Sequence, residues 1–251
     1  MEPVFRTLEI AAVAVTRAAG TRITYDGLDN IPARGGAVVA INHTGYLDFL
    51  PAALAVKHRG RRMRFMIKAE MERVTIVGYL IRHTGTIAVD RRAGAGAYAV
   101  AVASLRAGEL VGVYPEATIS RSFELKEFKT GAARMGIEAE VPIVPLIVWG
   151  AHRVWTKDHP HALGRKKIPV NVVVGAPIPS DGPAVELTAR LREAMGALLD
   201  RAQADYPRPA GRHWVPRRLG GSAPTLEEAG RLDEAELAER ARRRAEGRRT
   251  R

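Results

Sequence analysis

From residue 22 onward the chain alternates short runs rich in Val, Ile and Leu with longer helical stretches, and this alternation constrains the fold more than any other feature. The apolar runs predict strands at 22–25, 37–42, 64–67, 86–89, 110–114, 143–148 and 170–174. The stretches at 46–57, 95–107, 131–138 and 184–204 read as helices. Parallel neighbours need a crossover long enough to hold a helix. Strands that alternate with helices therefore predict an α/β domain whose mostly parallel sheet has about seven strands flanked by helices. No internal repeat interrupts the pattern.

Two segments flank this domain. Residues 1–20 read as an apolar helix over 3–19: Pro3 is tolerated in its first turn, Val4, Leu8, Ala11 and Val15 follow helical spacing, and Gly20 stops it. The segment is too short to cross a bilayer but long enough to lie on one, and packing on its own core is the plainer alternative. After Tyr206, prolines and glycines punctuate a charged tail, 207–251, whose last part predicts a helix over 226–246. The expected domains are thus a membrane-associating helix at 1–20, the α/β domain at 21–206 and a basic C-terminal appendage at 207–251.

Composition narrows the chemistry. A net charge of +12 favours anionic partners, although arginines near the C-terminus carry much of it. With no cysteine, thiolate metal sites, disulfides and a cysteine nucleophile are excluded. No run approaches the roughly 20 apolar residues of a membrane-spanning helix, and the first residues lack the basic start of a signal peptide, so export is not expected. A nucleic-acid-binding protein is the reading from charge alone; aromatics at 6% and the lack of a binding motif oppose it.

The chemical centre is the strand-to-helix junction AVVAINHTGYLDFLPAALA, which sets Asn42 and His43 at the end of an apolar run and Asp48 five residues past the histidine. On one continuous helix these five residues span about 500°. The two side chains meet only if His43 sits in the loop and Asp48 in the first turn of the helix. Open α/β sheets place ligands at this end of their strands. A neutral imidazole at that point can take the proton of an alcohol as it attacks an acyl group. A carboxylate on the other ring nitrogen fixes the tautomer and stabilises the imidazolium. The spacing alone is weak, because a chain of this length with seven histidines produces it by chance.

Three more segments strengthen it. NHTGYLD resembles the first motif of the glycerolipid acyltransferase family, whose best-known members are lysophosphatidate (1-acylglycerol-3-phosphate) acyltransferases. GTIAVDR (85–91) resembles the second motif, YPEATISRS (114–122) the third, usually written FPEGTRS, and VPIVP (141–145) the fourth. FKTGAA (128–133) fits the segment after the third motif. The resemblance covers roughly residues 20–180.

It implies that His43 and Asp48 are the catalytic pair and that Arg91 and Glu116 bind the acceptor, with Arg91 on its phosphate, a role that suits a guanidinium. The plain alternatives are a surface arginine beside Arg92 and a glutamate that holds its loop. Lys68 is a further candidate phosphate contact. The third motif departs from the family pattern: Ala117 stands in place of glycine, which restricts the loop, and Ile119 in place of arginine, which removes an anion contact that Arg121 or Lys129 could supply. His152, Asp158, His159 and His161 form no convincing metal set, and neither a metal nor a cofactor is expected.

The implied reaction moves a fatty acyl group from acyl-CoA or acyl-carrier protein, as co-substrate, to a hydroxyl of lysophosphatidate or a related glycerol-phosphate lipid, in phospholipid biosynthesis. Backbone amides near the helix start are expected to stabilise the oxyanion. The alternative acceptor is a glycolipid or another lysophospholipid. The expected partners are the lysophospholipid, the acyl carrier and an anionic membrane surface, with no nucleic acid. The expected location is peripheral, on the cytoplasmic face of the cell membrane.

Overall fold

The computed structural model describes residues 20–68, 86–89, 94–162 and 167–249, with isolated positions at 7, 10, 13, 14 and 16. The elements are β1 (Arg22–Asp26), β2 (Ala37–Ile41), α1 (Phe49–His58), β3 (Met63–Lys68), β4 (Ile87–Val89), α2 (Gly94–Arg106), β5 (Leu110–Val113), α3 (Gly131–Ala139), β6 (Ile143–Trp149), β7 (Pro169–Val174), α4 (Ala184–Gln203) and α5 (Leu226–Arg249). Every strand begins and ends within one residue of the apolar run that predicts it. The helix expected over 3–19 lies outside the described residues, apart from those isolated positions. Among the described residues, no helix is long and apolar enough to cross a membrane.

The seven strands form one sheet in the order β1-β7-β6-β2-β5-β3-β4. β2, β5 and β6 are buried at every position, as central strands covered on both faces must be. Val39, Ile41, Leu146 and Val148 pack with Ala52, Ala55 and Val56 of α1 in one core cluster. α4 runs against β6 and α3 against β2. β1, at the sheet edge, alternates exposed and half-buried residues.

The sheet is mixed. All pairings are parallel except β6 with β7, where Leu146 faces Val174 and Trp149 faces Asn171. The reason lies in the connection between them, whose described residues hold no crossover helix, only the 3-10 turn Ala151–Arg153. Without a crossover, the chain turns at the end of β6 and comes back beside it. The register slips by one residue between the Leu146–Val174 pair and the Ile143–Ile178 bridge. Pro145, which has no N–H to give, falls in that gap, and its carbonyl accepts from the Gly175 N–H at 2.9 Å.

The antiparallel return has a consequence for the site. It keeps residues 150–156 at the carboxyl end of β6, the end where the parallel strands β2 and β5 also stop. Three segments therefore meet there: 42–48 after β2, 114–118 after β5 and 150–156 after β6.

Two compact units divide the chain. The first comprises Met1–Ile119 and Glu127–Tyr206 and contains the sheet. The second unites Ser120–Lys126 with Pro207–Arg251, so the C-terminal appendage is not an independent tail. Its central helix, α5, opens with a reciprocal cap: the Thr225 N–H donates to Glu228 Oε2 and the Glu228 N–H to Thr225 Oγ1. Asp233 of α5 pairs with both Arg121 and Lys126, and Glu236 with Arg121 at 2.9 Å. These pairs join 120–126 to the appendage.

Candidate active site

β2 ends at Ile41, and the Asn42 side chain continues its pairing with β6. The amide Nδ2 donates to the Val148 carbonyl at 3.1 Å, and Oδ1 accepts from the Val148 N–H at 2.7 Å. This pins the strand end and sets His43 as the first residue free of the sheet. The helix predicted to start at 46 starts only at Phe49, because residues 44–48 are wound into turns.

Those turns bring Asp48 back onto the histidine. Asp48 is the N-cap of α1, yet its side chain makes no capping bond. It turns backward, and Oδ2 accepts from the Thr44 and Gly45 N–H groups, each at 2.7 Å. The same oxygen lies 3.3 Å from His43 Nδ1. Because Oδ2 acts as an acceptor toward all three groups, Nδ1 carries the proton and Nε2 is left with its lone pair. Asp48 is fully buried, whereas the His43 side chain is 20% exposed. This is the orientation a general base requires.

Gly45 is required by close approach: a Cβ there would stand 2.7 Å from the Trp155 carbonyl oxygen and 2.9 Å from His152 Cα. The 150–156 segment grips the loop from that side. Trp155 O accepts from the Tyr46 N–H at 3.0 Å, and Thr156 Oγ1 donates to the Thr44 carbonyl at 2.7 Å. His152 is buried and packs on the Trp149 ring. Among the described residues, no three His, Asp or Glu side chains form a metal-binding group.

The third segment follows β5. Tyr114 lies face to face with His43, ring centroids 4.0 Å apart and planes 21° from parallel. Burial holds the tyrosine hydroxyl well above its ordinary pKa, and the Asp48 charge pushes the same way. The ring on the imidazole is thus a neutral phenol, whose face favours the imidazolium formed when the base takes a proton. Glu116, 3% exposed, accepts the His43 N–H through Oε1 at 2.8 Å, so it holds the 42–48 loop. Sequence reasoning missed Tyr114; its place at the third motif's first position, where phenylalanine is usual, was the available signal.

Four backbone amides of the loop before α1 are engaged within the fold. The His43 N–H goes to Glu116, those of Thr44 and Gly45 to Asp48, and that of Tyr46 to Trp155 O. These four N–H groups build the loop, and an oxyanion donor is not among them.

The remaining candidates fall in different places. Arg91 and the Lys68 side chain lie outside the described residues. β4, which ends two residues before Arg91, runs parallel to β3, Lys68 facing Val89. Lys129 is exposed, and its N–H donates to the Pro115 carbonyl, next to Glu116. Arg121 is 8% exposed and belongs to the second unit, where its guanidinium pairs with Asp233 and Glu236. Its charge is balanced there, so the one that Ile119 removes from the motif is not restored by Arg121.

Ala117 adopts the left-handed backbone, φ 59°, where the family pattern has glycine. For an alanine this costs about 1–2 kcal/mol, against roughly 0.5–1 kcal/mol of extra unfolded-state entropy for glycine. Ala117→Gly is therefore expected to stabilise by about 0.5–1 kcal/mol, read as a higher midpoint in thermal unfolding. A lower midpoint would show that the alanine is not strained.

Residues 22–149 match the model of the Acyltransferase family. The chain belongs to that family. Among the relatives, the 1-acyl-sn-glycerol-3-phosphate acyltransferase of Borreliella burgdorferi is 25% identical over 151 residues, 56% of this chain and 56% of that protein. That of Bacillus subtilis is 28% identical over 123 residues, 49% of this chain and 60% of its own. The alpha form from Bos taurus is 27% identical over 197 residues, 74% and 66% of the two chains. The match thus spans less than two thirds of the two bacterial relatives. The crystal structure of the 1-acyl-sn-glycerophosphate acyltransferase PlsC from Thermotoga maritima superposes with a TM-score of 0.68 at 20% identity, covering 82% of each chain, which establishes a shared fold. The matched span contains His43, Asp48, Tyr114 and Glu116.

Proposed function

We propose that the chain transfers a fatty acyl group from acyl-CoA or acyl-carrier protein to a hydroxyl of lysophosphatidate or a related glycerol-phosphate lipid. The observation that carries this reading is the His43–Asp48 pair, held at the carboxyl end of β2 inside the family match. The names of the relatives support the acceptor class. In the reaction, the acceptor hydroxyl gives its proton to His43 Nε2 as its oxygen attacks the thioester carbonyl. Asp48 keeps Nδ1–H in place and stabilises the imidazolium. Collapse of the tetrahedral intermediate breaks the C–S bond, and the leaving thiolate takes the proton back from Nε2. Arg91 binds the acceptor phosphate, and Lys68 and Lys129 are further candidate contacts.

The place of action is the cytoplasmic face of the cell membrane, where the protein is peripheral, since a long-chain lysophospholipid resides in the bilayer. A second reading, a different lipid acceptor, is favoured by one observation: the third motif carries Ile119, buried and apolar, where an arginine is usual.

Acyl transfer measured with glycerol 3-phosphate, lysophosphatidate and other lysophospholipids decides between them. Arg91→Ala is expected to lower kcat/KM for the phosphate-bearing acceptor about tenfold or more, since a charge-assisted hydrogen bond contributes about 1.5–3 kcal/mol. Donor use should stay unchanged. A loss confined to the donor would move Arg91 to the other substrate.

A further inference from the structure

Three large aromatic side chains are exposed among the described residues: Tyr46 at 44%, Phe49 at 43% and Trp155 at 42%. Tyr46 belongs to the 42–48 loop, Phe49 opens α1 directly after it, and Trp155 lies on the segment bonded to that loop. Tyr46 lies two residues before Asp48, on the turns that carry it to His43, and Phe49 follows Asp48 directly. Trp155 packs on Tyr46, centroids 4.8 Å apart, and its carbonyl holds the Tyr46 N–H. Its other side meets His161 at 5.8 Å, and Phe49 meets Phe65 edge-on at 6.0 Å. The other exposed large apolar residues are aliphatic: Ile10 near the N-terminus, and residues such as Val100, Val185 and Leu237 on α2, α4 and α5.

We propose that Tyr46, Phe49 and Trp155 form the surface by which the domain seats on a lipid bilayer, so that the membrane meets the protein at the mouth of the His43 site. Tyrosine and tryptophan combine an apolar ring with a polar tip, which suits the boundary between acyl chains and headgroups. An exposed aromatic cluster costs solvation unless something covers it. The net charge of +12 draws the chain to an anionic surface, and Lys157 follows Trp155 by two residues. The backbone bonds from Tyr46 to Trp155 and from Thr156 to Thr44 make the patch and the catalytic loop one piece. Seating the patch therefore brings the loop to the interface where a lysolipid hydroxyl lies. This inference rests on the proposed lipid acceptor.

The protein carries its own reporter. Trp149 and Trp214 are buried, at 2% and 6%, so a change in tryptophan emission on vesicle addition reads Trp155. The full chain is mixed with vesicles of phosphatidylcholine and phosphatidylglycerol, with and without brominated acyl chains. Emission is expected to shift to the blue and to be quenched by the bromines. Trp155→Phe should abolish both changes. Tyr46→Ser with Trp155→Ser should lower vesicle partitioning about tenfold, the order expected for two half-exposed rings, and should lower the ratio of transfer to vesicular over soluble acceptors.

Vesicle binding with unchanged Trp155 emission would place the membrane contact elsewhere and overturn the proposal. Quenching by soluble coenzyme A without vesicles would overturn it too, by giving the aromatic pair to the donor. Transfer to a soluble acceptor is read separately. A chain that performs it while Trp155 stays unshifted refutes the patch alone. One whose Trp155 enters the bilayer but that acylates no acceptor refutes the reaction and leaves the patch standing.

Discussion

His43→Ala lowers acyl transfer by about a thousandfold, the middle of the range for removing a general base, while the protein stays folded. The side chain is partly exposed, it stacks on Tyr114, and its one side-chain hydrogen bond runs to Asp48. Losing these contacts costs on the order of 1 kcal/mol, within the stability of a domain of this size. The loop keeps its shape because it is held by the main chain: Glu116 still accepts the N–H of residue 43, and Asp48 still accepts from Thr44 and Gly45. Steady-state transfer and thermal unfolding on the same preparation check both halves. Near wild-type turnover in a folded His43→Ala protein would remove the proposed mechanism.

Asp48→Ala has the largest expected effect on stability. It deprives two buried N–H groups, those of Thr44 and Gly45, of their shared acceptor. Each buried donor left unsatisfied costs about 1–3 kcal/mol, and release of the buried carboxylate offsets part of this, leaving a net loss of roughly 2–3 kcal/mol. Activity falls with it, since nothing orients His43. Asp48→Asn separates the two roles. Its amide oxygen can still accept from both N–H groups, so stability drops little, but the charge that favours the imidazolium is gone. Transfer by Asp48→Asn should lie between wild type and His43→Ala. Urea unfolding that shows Asp48→Ala as stable as wild type would mean the loop does not depend on this carboxylate.

The fold was legible in the sequence where the signal is local. Runs such as AVVAI and IVPLIVW are apolar at every position because central strands are buried on both faces, and that mark survives without knowledge of neighbours. Strand order and direction are not local. β7 reads like the other strands, and its antiparallel pairing with β6 is a matter of tertiary structure. The late start of α1 was not legible either. Residues 46–48 fit a helix by pattern, and the backward turn of Asp48 onto Thr44, Gly45 and His43 competes with it and prevails.

The proposed catalytic pair was legible from residue type and order along the chain: an imidazole, then a carboxylate five residues on, followed by three further motifs in sequence. Chemistry dictates those residue types, and spacing restricts how they can meet. What only tertiary structure decided is which groups surround them. Tyr114 on the imidazole, Glu116 on the His43 N–H, Trp155 against Tyr46 and the space that excludes a side chain at Gly45 all come from segments more than 60 residues away from the loop. Such contacts depend on which strands are neighbours and at which end they stop. Arg121, expected near the acceptor from its position in the third motif, is instead paired with Asp233 and Glu236 of α5, 112 and 115 residues later. A guanidinium goes to the carboxylates that the folded chain brings to it, and distance along the sequence carries no record of them.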